Sequence, residues 1–225
     1  MTVKFALETA KLSRFWRLLA SAFAERFDRS PLDDVPSTTR FVRTRAAYIA
    51  QTSLYGYLKT RMGTSFRRHF EDEAFSKVIR ASAVKLYVAC LADLTIFAVA
   101  TAAQDSDLHP EDCAALAQRC FEDALAEGIG ETDWLSLPDD AWRRFEERAT
   151  ATAWPNAAVG ETAFAGSVDE IIRVAPVVDE FKAADERIVR NSIRFRWRDV
   201  REQLRKRIDG AALAKDWRCG ATAQK

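Results

Sequence analysis

The sequence predicts an all-α fold, a single-domain bundle of about six or seven helices around a central hydrophobic helix. Three observations carry this expectation. Between breaks marked by proline and glycine, apolar residues recur at steps of three and four. No run alternates apolar and polar residues as a half-buried strand would. One stretch, LYVACLADLTIFAVATAA at 86–103, is apolar on every side, as the middle helix of a bundle must be.

In chain order, residues 1–36 read as an amphipathic N-terminal helix and a linker. Phe5, Leu12, Phe15, Trp16, Leu19 and Phe23 fall near one side, with Lys4, Lys11, Arg14 and Arg17 elsewhere. The segment lacks the continuous apolar run and cleavage site of a secretory signal. Such a helix can cap the core, join a partner or lie on a membrane surface. The bundle proper spans 37–210. Ser37, after Pro36, is placed to cap a helix running to about Met62, where Gly63 permits a left-handed exit. A long helix follows from about Asp72 to Ala103. Pro110 suits the first turn of the next, with Glu111 and Asp112 at its positive end, and Gly128 suits its close. Pro138 with Asp139 and Asp140 repeats the start signal. Ser167 and Glu170 form an S-x-x-E capping box, and the final helix runs from after Pro176 to about Asp209, where Gly210 stops it. Residues 211–225 read as a polar tail.

The 86–103 stretch reaches the lower length limit for a membrane span. Asp93 in its interior argues for a buried bundle helix instead, because a carboxylate near mid-bilayer costs on the order of 2.5–3.5 kcal/mol. An integral membrane protein held by this segment is the third reading.

The formal charge of +1 hides a segregation along the chain. Residues 37–70 hold seven Lys/Arg and no acid; residues 104–186 hold twenty acids and six bases; residues 187–207 hold nine bases and two acids. Basic and acidic helices packed side by side would explain this, and so would a basic face kept open for an anion. Within 187–207, Arg187, Arg190, Arg194, Arg198, Arg201 and Arg205 recur at steps of three and four, one cationic stripe beside an apolar one of Val189, Ile193, Trp197, Val200, Leu204 and Ile208. Those six arginines are the candidate anion-binding residues.

Catalytic signatures are sparse. No G-x-S-x-G elbow or phosphate-binding loop exists, and Ser82 with Lys85 makes an S-x-x-K spacing without its usual companions. His69 with Glu73 offers two metal ligands where at least a third is needed, and His109 precedes a proline in a polar loop. No metal or cofactor is expected. Cys90, Cys113, Cys120 and Cys219 show no CxxC and no disulfide framework, which fits a reducing compartment. Asp93, set among Leu91, Leu94, Ile96 and Phe97, must find a cation or hydrogen-bond donors, or take up a proton. The nearest supply in sequence is the acid-free basic helix, with Arg45, Lys59, Arg61 and tyrosines 48, 55 and 57. Asp93, Arg45 and Tyr55 are therefore the expected buried polar residues, and Asp93 joins Ser82 and Lys85 as a catalytic candidate.

At YIAQTSLYGYLKTRMGTSF (48–66), CLADLTIFA (90–98) and NSIRFRW (191–197), the chain resembles a poorly described all-helical bacterial family to which the word esterase is sometimes attached. The resemblance spans most of 37–208. It implies that Tyr55 through Gly63, Asp93 and the arginine-rich helix belong to one unit, and it brings esterase activity into consideration. Two functional expectations follow. The first is a non-enzymatic intracellular adaptor, cytoplasmic and able to sit at the inner membrane, that docks an anionic membrane surface or acidic protein through its arginine-rich helix; nucleic acid is the other anionic partner such a stripe can meet. The second is a helical hydrolase with a buried acidic residue at its site. The sequence leaves the oligomeric state open.

Overall fold

The computed structural model describes residues 28–65, 72–159 and 162–223. The helical expectation holds: the described residues form helices joined by short turns, and their only β-type pairing is an isolated parallel bridge between Leu32 and Ile208. The amphipathic segment expected at the N-terminus, and His69, lie outside the described residues.

Helix α1, Val35–Met62, starts at Asp34 rather than Ser37. The Asp34 carboxylate accepts from the Ser37 N–H at 2.7 Å, and the Ser37 hydroxyl oxygen accepts from the Asp34 N–H at 3.4 Å. Pro36 lies inside the first turn and has no N–H to offer, so the cap must precede it. Gly63 closes the helix at φ 53° and ψ −128°, a positive φ outside the left-handed helical well that the sequence suggests.

Helix α2, Glu73–Gln104, is capped by Asp72 and runs through the middle of the molecule. In its most apolar window 83% of the residues are buried inside the protein. This is the pattern of a bundle core helix, although by length and composition alone α2 could cross a membrane. Packed on it are α1, α3 (Pro110–Gly128), α6 (Trp154–Ala157), α7 (Ala165–Val174) and α9 (Gly210–Ala223). Between α3 and α6 come the short α4 (Glu131–Trp134) and α5 (Ala141–Ala151), which packs on α3. Leu91, Leu94, Phe97 and Val99 are fully buried, each worth about 1.5–3 kcal/mol of apolar burial.

Helix α8, Asp179–Arg207, lies across α7 and α1. It buries Val189, Ile193, Trp197, Val200 and Leu204, the apolar stripe read from the sequence. Gly210 does not end the chain's last helix. The backbone breaks at Ile208 and Asp209, where Leu32 N–H donates to Arg207 O and Asp209 N–H donates to Leu32 O. Asp209 then accepts from the Ala212 N–H at 3.0 Å, and α9 runs from Gly210 to Ala223, where the sequence suggests a polar tail.

Charge segregation is answered partly inside the molecule. Arg43 of α1 pairs with Glu127 of α3, and Arg61 pairs with Asp185 of α8, so the acid-free helix is tied to acidic neighbours on both sides.

One core contact gives a direct test of packing. The Tyr87 hydroxyl donates to Ala124 O at 3.1 Å, and a Cβ added at Gly128 would sit 2.3 Å from that hydroxyl. Gly128→Ala should destabilise the fold by about 1–3 kcal/mol. In a Tyr87→Phe background the clash is smaller, so the two substitutions should cost less together than the sum of their separate effects, as a urea-denaturation double-mutant cycle will show.

Candidate functional site

Four helices meet at one buried polar junction. Asp93 of α2 has no exposed surface, and it finds neither Arg45 nor a tyrosine of α1. Instead its Oδ1 accepts from Arg148 Nη1 of α5 at 2.7 Å, and its Oδ2 accepts from the Ser167 N–H of α7 at 2.7 Å. Arg148 also donates to Ala163 O at 3.2 Å. The expected pair between α1 and α2 is therefore replaced by one between α2 and α5, because Asp93 faces the side of α2 on which α7 and α5 pack.

This geometry also overturns the capping box expected at Ser167. Helix α7 starts two residues earlier, Ser167 sits inside its first turn, and its cap arrives from another helix as the Asp93 carboxylate. The Ser167 hydroxyl donates to Phe164 O at 3.2 Å and accepts from Trp197 Nε1 at 3.0 Å. At the far end of α7, the Ser82 hydroxyl donates to Val174 O at 2.7 Å. Helix α2 thus holds α7 by both ends, a carboxylate at the positive pole and a hydroxyl donor at the negative one.

Two chemical consequences follow. Burial pushes the Asp93 carboxyl above its ordinary value, while the Arg148 charge and the Ser167 N–H pull it back. Ser82 is buried, and its proton is committed to a backbone carbonyl rather than to Lys85, an arrangement that leaves no activated nucleophile at the S-x-x-K pair. Burial likewise raises Cys90, with Asp93 adding to the rise, and lifts Cys113 and Cys120 to about 11, so these thiols stay protonated at neutral pH. Arg45 is buried with its guanidinium over the Phe41 ring, and Tyr55 is half-buried, its hydroxyl pushed well above its usual value by desolvation.

The arginine stripe divides into two groups. Arg190 is spent on Asp169 and Glu186. Arg201 lies over the Phe164 ring, and Arg205 lies over Phe97 and donates to Ala158 O at 3.2 Å, so both are tied to the body. Arg187, Arg194 and Arg198 face water, the last with a 3.7 Å contact to the exposed Asp199. Beside them runs a feature the sequence reading missed. Phe181, Ile188 and Phe195 are 50%, 68% and 60% exposed, recur every seven residues, and continue from the exposed Val178. At 100° per residue they fall on a line about 100° from the arginine stripe and away from the core face. Arg61 stacks over Phe181 and Arg198 over Phe195, with guanidinium carbons 4.7 and 4.3 Å from the ring centres. The seven-residue recurrence is visible in the sequence; it is hidden there by the stronger buried stripe on the same helix.

Among the described residues no cluster of three His, Cys, Asp or Glu could hold a metal ion. Comparison with protein-family models, with curated proteins and with solved structures finds no match for this chain.

Proposed function

We propose that this protein is a non-enzymatic adaptor that docks on an anionic lipid surface through the outer side of α8. The observation that carries the reading is the exposed row of Phe181, Ile188 and Phe195 alongside the water-facing Arg187, Arg194 and Arg198. Aligned exposed apolar side chains beside cations mark an interaction surface, and interfacial helices place such a line at the acyl boundary with arginines at the phosphates. The cytoplasmic leaflet, which carries the anionic lipids, is the surface of matching charge. Asp199, 3.7 Å from Arg198, and Glu202, paired with Lys206, also lie on the outer side, so the cationic surplus comes from Arg187 and Arg194. The ester-hydrolase alternative has no comparable support, since Ser82 is engaged as a structural donor.

Vesicle co-sedimentation tests the proposal. The protein should partition onto vesicles containing anionic phosphatidylglycerol, weakly onto phosphatidylcholine alone, and less as salt rises. Changing Arg187, Arg194 and Arg198 to glutamine should lower partitioning by about 100-fold, at about 1 kcal/mol for each cation near the surface. Phe181→Ser with Ile188→Ser should weaken binding to both vesicle types. Equal behaviour of wild type and the glutamine variant, or no partitioning at low salt, would reject the lipid-docking reading.

A further inference from the structure

A second feature lies on the other side of the buried junction, where α2, α3, α5 and α7 surround a recess of about 140 Å³. Its walls come from Val88, Ala92, Phe121 and Phe145, so the interior is apolar. Its polar groups are Lys85, Arg144, Arg148 and Glu170. We infer that this recess binds a small organic carboxylate, its apolar body against the phenylalanines and its carboxylate among Lys85, Arg144 and Arg148.

The charges do not balance within the recess. Glu170 is already gripped by Arg173, which donates from Nε to Oε2 at 2.8 Å. Arg148 is neutralised on one edge by Asp93, yet its side chain remains 35% exposed and faces the recess. Arg144 has only a 4.0 Å contact with Asp140. Lys85, half-buried on α2, forms no ion pair among the described residues. Two cations therefore converge on an apolar-walled space with no strong anion of their own.

Size and chemistry narrow the ligand. A cavity of about 150 Å³ holds a benzene-sized molecule, so a nucleotide is too large and a single-ring or short-chain acid fits. Guanidinium matches the two coplanar oxygens of a carboxylate, and the phenylalanine walls favour a hydrocarbon body that free phosphate does not possess. The site is independent of the lipid-docking face, which lies on the outer side of α8.

Benzoate is the probe. Titration calorimetry and thermal shift on the full chain should show saturable binding of benzoate, with benzyl alcohol and inorganic phosphate each at least ten times weaker. Lys85→Met and Arg144→Gln should each weaken benzoate about tenfold while leaving the melting temperature of the free protein unchanged, because neither side chain is part of the Asp93 network. Benzyl alcohol binding as tightly as benzoate would reduce the recess to an apolar void, and phosphate binding as tightly would reduce it to a generic cationic patch; either overturns the inference. So would benzoate binding that survives both substitutions, or no saturation by benzoate at all. Vesicle partitioning of Lys85→Met should match wild type, which keeps this test separate from that of the docking face.

Discussion

Arg148→Ala should cost about 3–5 kcal/mol of stability at pH 8, and most of that loss should disappear as the pH is lowered toward 5. The reason lies in what the substitution leaves behind. Asp93 is fully buried, and in the intact protein its charge is balanced by one guanidinium and one backbone N–H. Without Arg148 only the Ser167 N–H and the α7 dipole remain to hold a carboxylate out of water. Burial already raises the Asp93 carboxyl, and losing the opposing charge raises it further. The folded state then binds a proton more tightly than the unfolded chain. Over the interval between the unfolded and folded pKa values stability therefore falls as pH rises and is regained as pH falls. The quantity to measure is the stability difference between variant and wild type by urea denaturation from pH 5 to 8, which cancels the titration of the other carboxylates.

Two companion variants sharpen that result. Asp93→Asn keeps an acceptor for the Ser167 N–H, and Arg148, already partly exposed, can turn toward the solvent-facing recess. Its cost should be smaller, about 1–2 kcal/mol. The double variant Asp93→Asn with Arg148→Ala should lose the pH dependence of the single arginine change, since the carboxyl that titrates is gone and burial holds the neighbouring Cys90 thiol protonated. An Arg148→Ala penalty that stays constant from pH 5 to 8 would show that Asp93 does not carry the charge assigned to it.

The same junction marks how far the sequence could be read. That Asp93 is buried and needs partners follows from Leu91, Leu94, Ile96 and Phe97 around it. Which partners it finds does not follow, because Arg148 lies 55 positions away on α5, where Arg143 and Arg144 look equally eligible and only packing decides which one turns inward. Ser167 shows a local pattern losing to a tertiary one: S-x-x-E reads as a cap, but the better acceptor comes from α2. Helix class, the buried stripe of α8 and the central position of α2 are legible because each depends only on periodicity within one element. The split of the arginine stripe into tethered and free groups depends on where Asp169, Phe164 and Phe97 end up, and no spacing on α8 contains that.

Gly210 is the other place where a local rule misleads, and substituting it should damage the fold severely. A glycine after an arginine-rich helix reads as a stop signal. Here it instead begins α9 where its backbone packs tightly against the end of α2. A Cβ on residue 210 would stand 2.2 Å from Ala102 O and 3.0 Å from Ala102 C. Ala102 O is not free to move, because it accepts the Asp105 N–H that closes α2. Since the obstacle is backbone rather than the end of a side chain, Gly210→Ala must either distort the last turn of α2 or lift α9 away. Lifting α9 exposes Leu213 and Ala214, now buried, and loosens the Asp216 carboxylate from the Val35 N–H that opens α1. We expect a loss of about 3 kcal/mol or more, combining overpacking with the lost burial of one leucine. In a domain of this size that corresponds to a fall of roughly 6–12 °C in Tm. Gly220→Ala is the matched control on the same helix: it is exposed, its added Cβ would meet nothing within 4 Å, and it should be neutral or stabilising by up to about 1 kcal/mol. Thermal unfolding of the two variants side by side, with hydrogen exchange followed across 210–223, distinguishes a local clash from a general intolerance of substitution in α9. Equal melting temperatures for the two would mean that the approach of α9 to Ala102 is looser than the structure places it.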